Sequence, residues 1–138
     1  MRIRIGRRTA EVAAVVALTL GATGMATGGA SAASQPTGAE ACPSGNVCLY
    51  FHSPQYGWGA WENWSVGQTV DLRSAHFGHW GNNGAGWGQT VADNAASLVN
   101  NTGQTVAVVA DDGTWDYYRA GYSDVLDYTY NKDAQLWS

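Results

Sequence analysis

Cys42-Pro43-Ser44-Gly45-Asn46-Val47-Cys48-Leu49-Tyr50-Phe51-His52-Ser53-Pro54-Gln55-Tyr56-Gly57-Trp58-Gly59 is the stretch from which the fold can be read. In an extended chain Val47, Leu49 and Phe51 point to one side and Cys48, Tyr50 and His52 to the other. Ser53-Pro54-Gln55-Tyr56-Gly57 breaks the run, and from Trp58 the chain can return as a second strand. An aromatic strand, a glycine-bearing turn and an aromatic return read as a β-hairpin. The chain has two cysteines, Cys42 and Cys48, and both lie here. In a secreted chain such a pair is expected to form a disulfide. It would close a short loop around Ser44-Gly45, and the chain-entropy model gives such a loop only about 2 kcal/mol.

The N-terminal residues set the compartment. Arg2, Arg4, Arg7 and Arg8 precede an apolar run at 13–20, and small residues follow, ending in Ala30-Ser31-Ala32. This is the pattern of a secretory signal peptide over residues 1–32. The apolar run is shorter than the roughly 18 residues that a membrane span needs. The expectation is a secreted, extracellular protein with no membrane attachment after cleavage. Residues 33–41, with Pro36 and Gly38, read as a flexible leader, and 42–138 as a single domain. Beyond residue 32, three cations (Arg73, Arg119 and Lys132) face ten carboxylates, a net charge of −7 with neutral histidines. Nucleic acid is not expected as a partner, because neutralising phosphates takes Lys and Arg. A protein, a cation or a neutral glycan stays open.

From Asn46 onward the chain alternates short β-type runs with turn residues. Strands are expected near 47–52, 59–63, 69–72, 95–100, 105–110, 114–118, 125–128 and 134–137. The turns between them hold Ser53-Pro54, Val66-Gly67, Thr102-Gly103, Asp112-Gly113 and Ala120-Gly121. No window carries a sustained helical stripe, so the pattern argues for an all-β sandwich or barrel. The chain also repeats. Val66–Leu72 aligns with Ala120–Leu126 at a spacing of 54, and Asp93–Val99 aligns with Asn131–Trp137 at a spacing of 38. The first copy therefore carries an insertion, residues 73–92, in which Gly78, Gly81, Gly84, Gly86 and Gly88 alternate with His76, Phe77, His79, Trp80, Asn82, Asn83 and Trp87. Two four-strand units, 42–101 with the insertion and 102–138, would bury together what neither buries alone. The insertion reads either as a functional loop or as a disordered excursion whose tryptophans fold back onto the sandwich.

Cys42-Pro43-Ser44-Gly45-Asn46-Val47-Cys48-Leu49-Tyr50, followed by Tyr56-Gly57-Trp58-Gly59, resembles the opening of small secreted actinobacterial proteins grouped with a metalloproteinase inhibitor, whose fold is βγ-crystallin-like. Tyr50, Gly57 and Ser65 resemble the crystallin aromatic-x6-Gly…Ser motif, and the run from Asp93 to Asn101 resembles the segment that closes it. The resemblance implies a two-sheet Greek-key sandwich built from two four-strand motifs. It also implies a non-enzymatic peptidase inhibitor that blocks an extracellular metalloprotease by occluding its active site. In that family the inhibitory loop is held by a second disulfide. This chain has no second cysteine pair, so no inhibitory residue carries over by position.

Several residues are candidates for chemistry. Asp93-Asn94-Ala95-Ala96-Ser97 resembles a crystallin calcium motif, making Asp93, Asn94 and Ser97 candidate calcium ligands; turn residues bonding their own backbone would look the same. No cofactor is required on this reading. His76 and His79, with His52 in space, have the residue type for zinc, although histidines in a glycine-rich loop are usually solvated. His76, His79, Trp80 and Trp87 form the candidate partner-binding loop. Trp58, Trp61 and Trp64 recur every third residue and cannot all face inward from a strand, so at least one is expected at the surface unless a bulge or the long loop covers it. An exposed tryptophan would suit a glycan or a protein partner. There is no Gly-x-Ser-x-Gly and no cysteine left beside a histidine, so an enzyme is not expected. Two alternatives to inhibition are carried. One is a calcium-linked extracellular structural or stress module. The other is a cell-wall glycan-binding or killer-toxin-like module.

Overall fold

The computed structural model describes residues 41–138. The signal peptide expected at 1–32 and nearly all of the leader lie outside the described residues. Eight antiparallel strands follow one another: β1 (Asn46–Tyr50), β2 (Trp61–Ser65), β3 (Thr69–Asp71), β4 (Ser97–Asn100), β5 (Val106–Ala110), β6 (Trp115–Tyr118), β7 (Ser123–Val125) and β8 (Asp133–Trp137). They form two four-stranded sheets, in the orders β2-β1-β4-β7 and β3-β8-β5-β6. Each sheet takes three strands from its own repeat and its fourth from the other, so β3 and β7 cross between the layers. No helix among the described residues is long and apolar enough to cross a membrane.

Strand alternation builds the core. Val47 and Leu49 from β1, Leu98 from β4, Val106 and Val108 from β5 and Leu136 from β8 meet between the sheets, with Leu72 and Leu126 closing the ends. Leu72 and Leu126 are repeat equivalents, each directly after the crossing strand, and both are buried. The opposite face of β1 is buried as well. Cys48 and Tyr50 pack there with Cys42, Trp58, Trp61 and Val99 in a second cluster, and the Cys42–Cys48 disulfide ties the incoming chain across it. Between the repeats, buried Asn100 turns the chain: its Nδ2 donates to the carbonyls of Gln104 and Tyr118, and its Oδ1 accepts from the Thr102 amide.

Two strands are displaced by two residues from their expected places: the one expected at 59–63 is β2, Trp61–Ser65, and the other is β7. The sequence suggests 125–128, but β7 is Ser123–Val125. Leu126 leaves the ladder to enter the core while its amide donates to the Ala96 carbonyl. The following residues then turn, leaving Tyr128 exposed.

Candidate functional site

The insertion is an ordered loop fastened to the first sheet. Phe77 is the anchor. It lies fully buried in the main core, with its ring edge-on to Phe51 at 5.8 Å. Its amide donates to the Gln89 carbonyl, and its own carbonyl accepts from Gly88, both at 2.9 Å. The Val91 amide donates to the Ala75 carbonyl at 2.9 Å, so the two arms of the loop pair with each other. Beyond this neck His79 pairs with Trp61 through two backbone bonds of 3.0 Å. This occupies the free edge of β2, which would otherwise offer unpaired donors and acceptors.

Side chains reinforce the attachment. The His79 ring stacks on the Trp61 indole at 4.0 Å and 16°. Glu62 Oε2 accepts from the Gly78 amide at 3.2 Å, and Asn63 Nδ2 lies 3.2 Å from His79 Nε2. At the loop's start the Arg73 guanidinium bridges Asp71 and Asp111, an exposed contact of small energetic weight. Two glycines are dictated by packing. A Cβ at Gly81 would strike the Gly59 carbonyl, and one at Gly86 would strike the Phe51 ring. Both also have left-handed φ, which an L side chain adopts only with strain.

The tip, residues 80–87, projects from this base. Its backbone closes on itself through Gly84 N to Trp80 O at 3.1 Å and Trp87 N to Gly84 O at 3.0 Å, and Ala60 N holds Ala85 O at 2.8 Å. Trp80 and Trp87 are more than half exposed, with ring centroids 5.5 Å apart. The tryptophans therefore do not fold back onto the sandwich; Phe77 and Val91 do. Of the expected loop residues, Trp80 and Trp87 share the tip, His79 lies on the sheet edge, and His76 sits in the neck, paired with Thr90.

The expectation for Trp58, Trp61 and Trp64 needs correction. Trp58 and Trp61 are each only 3% exposed. Trp61 and Trp64 do face opposite sides of β2, for Trp61 pairs with Tyr50 and Trp64 with Val47. The outward side is itself covered. Tyr50 lies 5.1 Å from Trp58 and 6.0 Å from Trp61, the disulfide closes over the same cluster, and His79 stacks on the remaining indole face. Trp64 is partly buried against the main core.

Asp93, Asn94 and Ser97 lie where the two repeats meet. Asn94 Nδ2 donates to the carbonyls of Thr90 and Ala92, and Ser97 Oγ donates to the His52 carbonyl at 2.6 Å. Two of the three candidate calcium ligands thus hold protein backbone. Their neighbour Asp133 was not singled out in the sequence. It is fully buried, with Oδ1 accepting from the Ala95 amide at 3.2 Å and Oδ2 without a hydrogen-bond partner in the structure. Burial first, and Asp93 in addition, push its carboxyl up to about 8 against the lowering effect of the amide bonds. Calcium takes six to eight oxygens, so an ion here would need backbone oxygens or water beside the side-chain oxygens of Asp93, Asn94 and Ser97. Phe51, His52, Tyr56, Asn94, Tyr130 and Asn131 line a cavity of about 300 Å³. His52 is therefore turned toward Tyr56, while His79 is on Trp61. No group of three or more His, Cys, Asp or Glu side chains that could hold a metal occurs among the described residues.

Sequence reasoning missed a second exposed aromatic group, Trp115, Tyr117 and Trp137, on the outer face of the second sheet. The Trp-x-Tyr alternation at 115–117 is its only local signal.

A family model described as peptidase inhibitor family I36 matches residues 35–126, which include the whole loop. No curated protein and no solved structure matches the chain.

Proposed function

The chain belongs to peptidase inhibitor family I36, and from that premise we propose that it blocks an extracellular metalloprotease by seating the loop tip, residues 80–87, in the active-site cleft. Family membership points to an inhibitor that is not itself an enzyme. The observation that carries the loop assignment is the way the tip is held. Buried Phe77, the neck pairing and the His79–Trp61 bridge restrain it without a second disulfide. A segment ordered before binding loses little entropy on binding. Trp80 and Trp87 supply large, rigid side chains of the type that dominates interface energetics.

The same geometry explains how an inhibitor of this kind would survive its target. A protease takes its substrate in extended form. Gly81, Gly84 and Gly86 hold the tip in left-handed turns, and straightening it would pull Ala85 from Ala60 and Gly88 from Phe77. The tip would fill the cleft without offering an extended scissile bond. Secretion by the signal sequence at 1–32 belongs to the same reading, and the disulfide is compatible with it.

The test is inhibition of a thermolysin-like enzyme by the purified protein. Stoichiometric, reversible block without cleavage of the inhibitor is expected. Trp80→Ala and Trp87→Ala should each raise the inhibition constant at least tenfold while moving stability by no more than about 0.5 kcal/mol, as for other exposed positions. Undiminished inhibition after shortening 78–86 in a folded variant would remove the loop from the mechanism.

A further inference from the structure

The outward face of the second sheet carries an aromatic row that neither the core nor the loop uses. Register places Trp137 of β8, Ala107 of β5 and Tyr117 of β6 side by side, with Gln135, Val109 and Trp115 in the next row. Val108 and Leu136 lie between these rows and point into the core, so the rows themselves face outward. Trp137, Tyr117 and Trp115 are 49%, 62% and 53% exposed. Ala107, itself buried, separates Trp137 from Tyr117, which stand two strand spacings apart, about 10 Å.

The aromatic groups are held in place. Trp137 Nε1 donates to Gln135 Oε1 at 3.0 Å. The Tyr117 ring packs on Trp115 with centroids 4.6 Å apart and a tilt of 56°. On the other side of Trp137 lies a groove of about 330 Å³ lined by Gly67, Gln68, Thr69 and Ser138, which brings amide and hydroxyl groups to the end of the row.

Size and charge decide what fits. Three half-exposed aromatic side chains offer about 300 Å² of ring surface, taking roughly 200 Å² for each. A stable protein interface buries about 800 Å² per partner, so the face is too small for a second copy of the chain. The row Thr69-Trp137-Ala107-Tyr117 has no charged side chain. Asp71 lies opposite Gln135 on β3, and the chain has a net charge of −4 overall, which disfavours a polyanion. A narrow, uncharged polymer with flat C–H faces and hydroxyl edges matches every element. In a β-1,4-linked chain alternate sugars present the same face, and that repeat is close to the Trp137–Tyr117 spacing.

We propose that this face binds a neutral β-1,4-linked polysaccharide, with Trp137 and Tyr117 stacking on alternate sugars, Trp115 positioning Tyr117, and the Gln68–Thr69 groove receiving hydroxyls. The inference is independent of the inhibitor reading, because the loop is fastened to the edge of the other sheet. Such a face would retain the protein on a wall or fibre while the loop stays free.

Retention of the purified protein on microcrystalline cellulose and on chitin tests this. The protein should be retained on at least one of them. Trp137→Thr and Tyr117→Thr, residues suited to a strand, should each weaken retention at least tenfold with an unchanged near-UV circular dichroism spectrum. Trp80→Ala should be retained like the parent. Retention on neither polymer overturns the proposal, as does retention that survives the double variant. A dimer seen by sedimentation equilibrium and lost in the double variant also overturns it, since a second copy would then occupy the face. Should the threonine variants unfold, Tyr117→Phe and Trp137→Phe keep the sheet, and weakening of at least threefold by Trp137→Phe, which loses indole area, is the expected result. Unchanged retention in that variant counts against the stacking role.

Discussion

The Asp93 amide donates to the Asp133 carbonyl at 2.9 Å, and the repeat counterpart of Asp93, Asn131, donates to the Ala95 carbonyl at 3.0 Å. Ala95 and Asp133 are themselves repeat equivalents, so the two bonds are related by the internal two-fold relation. Asp93 and Asn131 both take left-handed backbone, with φ of 63° and 50°, a conformation that Asp and Asn tolerate better than most residues. The symmetry breaks at one place. Where the first repeat buries the methyl of Ala95, the second buries a carboxyl.

That carboxyl makes stability depend on pH. In the fold Asp133 keeps its proton up to about pH 8, against 3.8 ordinarily. Between those values the folded state binds more protons than the unfolded state. The stability that Asp133 contributes is therefore full below about pH 4 and falls as pH rises toward 8. One unit of pKa difference corresponds to about 1.4 kcal/mol, and about 1 kcal/mol moves Tm by roughly 4–8 °C in a domain of this size. A fall in Tm of more than about 5 °C between pH 4 and pH 9 is expected in thermal melts. Asp133→Asn, whose Oδ1 can still accept from Ala95, should flatten the profile and be the more stable form at pH 9. A wild-type profile without this slope would contradict the assignment.

Phe77 couples the loop to the core. Truncating a fully buried phenylalanine typically costs about 3–5 kcal/mol, so Phe77→Ala should lower stability by that order and free the loop arms together. Limited proteolysis by an unrelated protease should then cut within 78–87 faster than in the parent. Phe77→Leu, which keeps most of the apolar volume, should retain the fold and show an intermediate rate. Equal cutting rates in all three proteins would mean that the loop is held by something else.

Calcium removal should leave the fold unchanged. The Asn94 amide N–H and the Ser97 hydroxyl hydrogen fix both side chains on the carbonyls of Thr90, Ala92 and His52, so this corner is tied together by protein bonds alone, and a bound ion would raise Tm by mass action if one were held. Thermal melts in chelator and in millimolar calcium should coincide within error. A rise of several degrees with calcium would restore a metal role for Asp93 and its neighbours.

The strands were legible because alternation is local. Val47, Leu49 and Leu98 declare their inward face within four or five residues, and the repeat at 66–72 and 120–126 announces the doubled architecture. Which of Trp58, Trp61 and Trp64 is covered was not legible, for an equally physical reason. The burial of Trp58 and Trp61 depends on His79, eighteen residues beyond Trp61, and on a disulfide that closes over Tyr50. No window along the chain contains those neighbours. Trp137 and Tyr117 were missed likewise, because their adjacency passes through Ala107 on a third strand.

The sequence by itself therefore determined the strand set, the cysteine staple, the duplication and the family, since each rests on spacings along the chain. The tertiary structure alone decided that β3 and β7 exchange sheets, that the glycine-rich insertion is an anchored loop, that Asp133 is buried, and that three distant aromatic residues share one face. Those outcomes depend on cross-strand register and on which surfaces cover one another. Both are set by packing between residues far apart in the chain, where local periodicity carries no information.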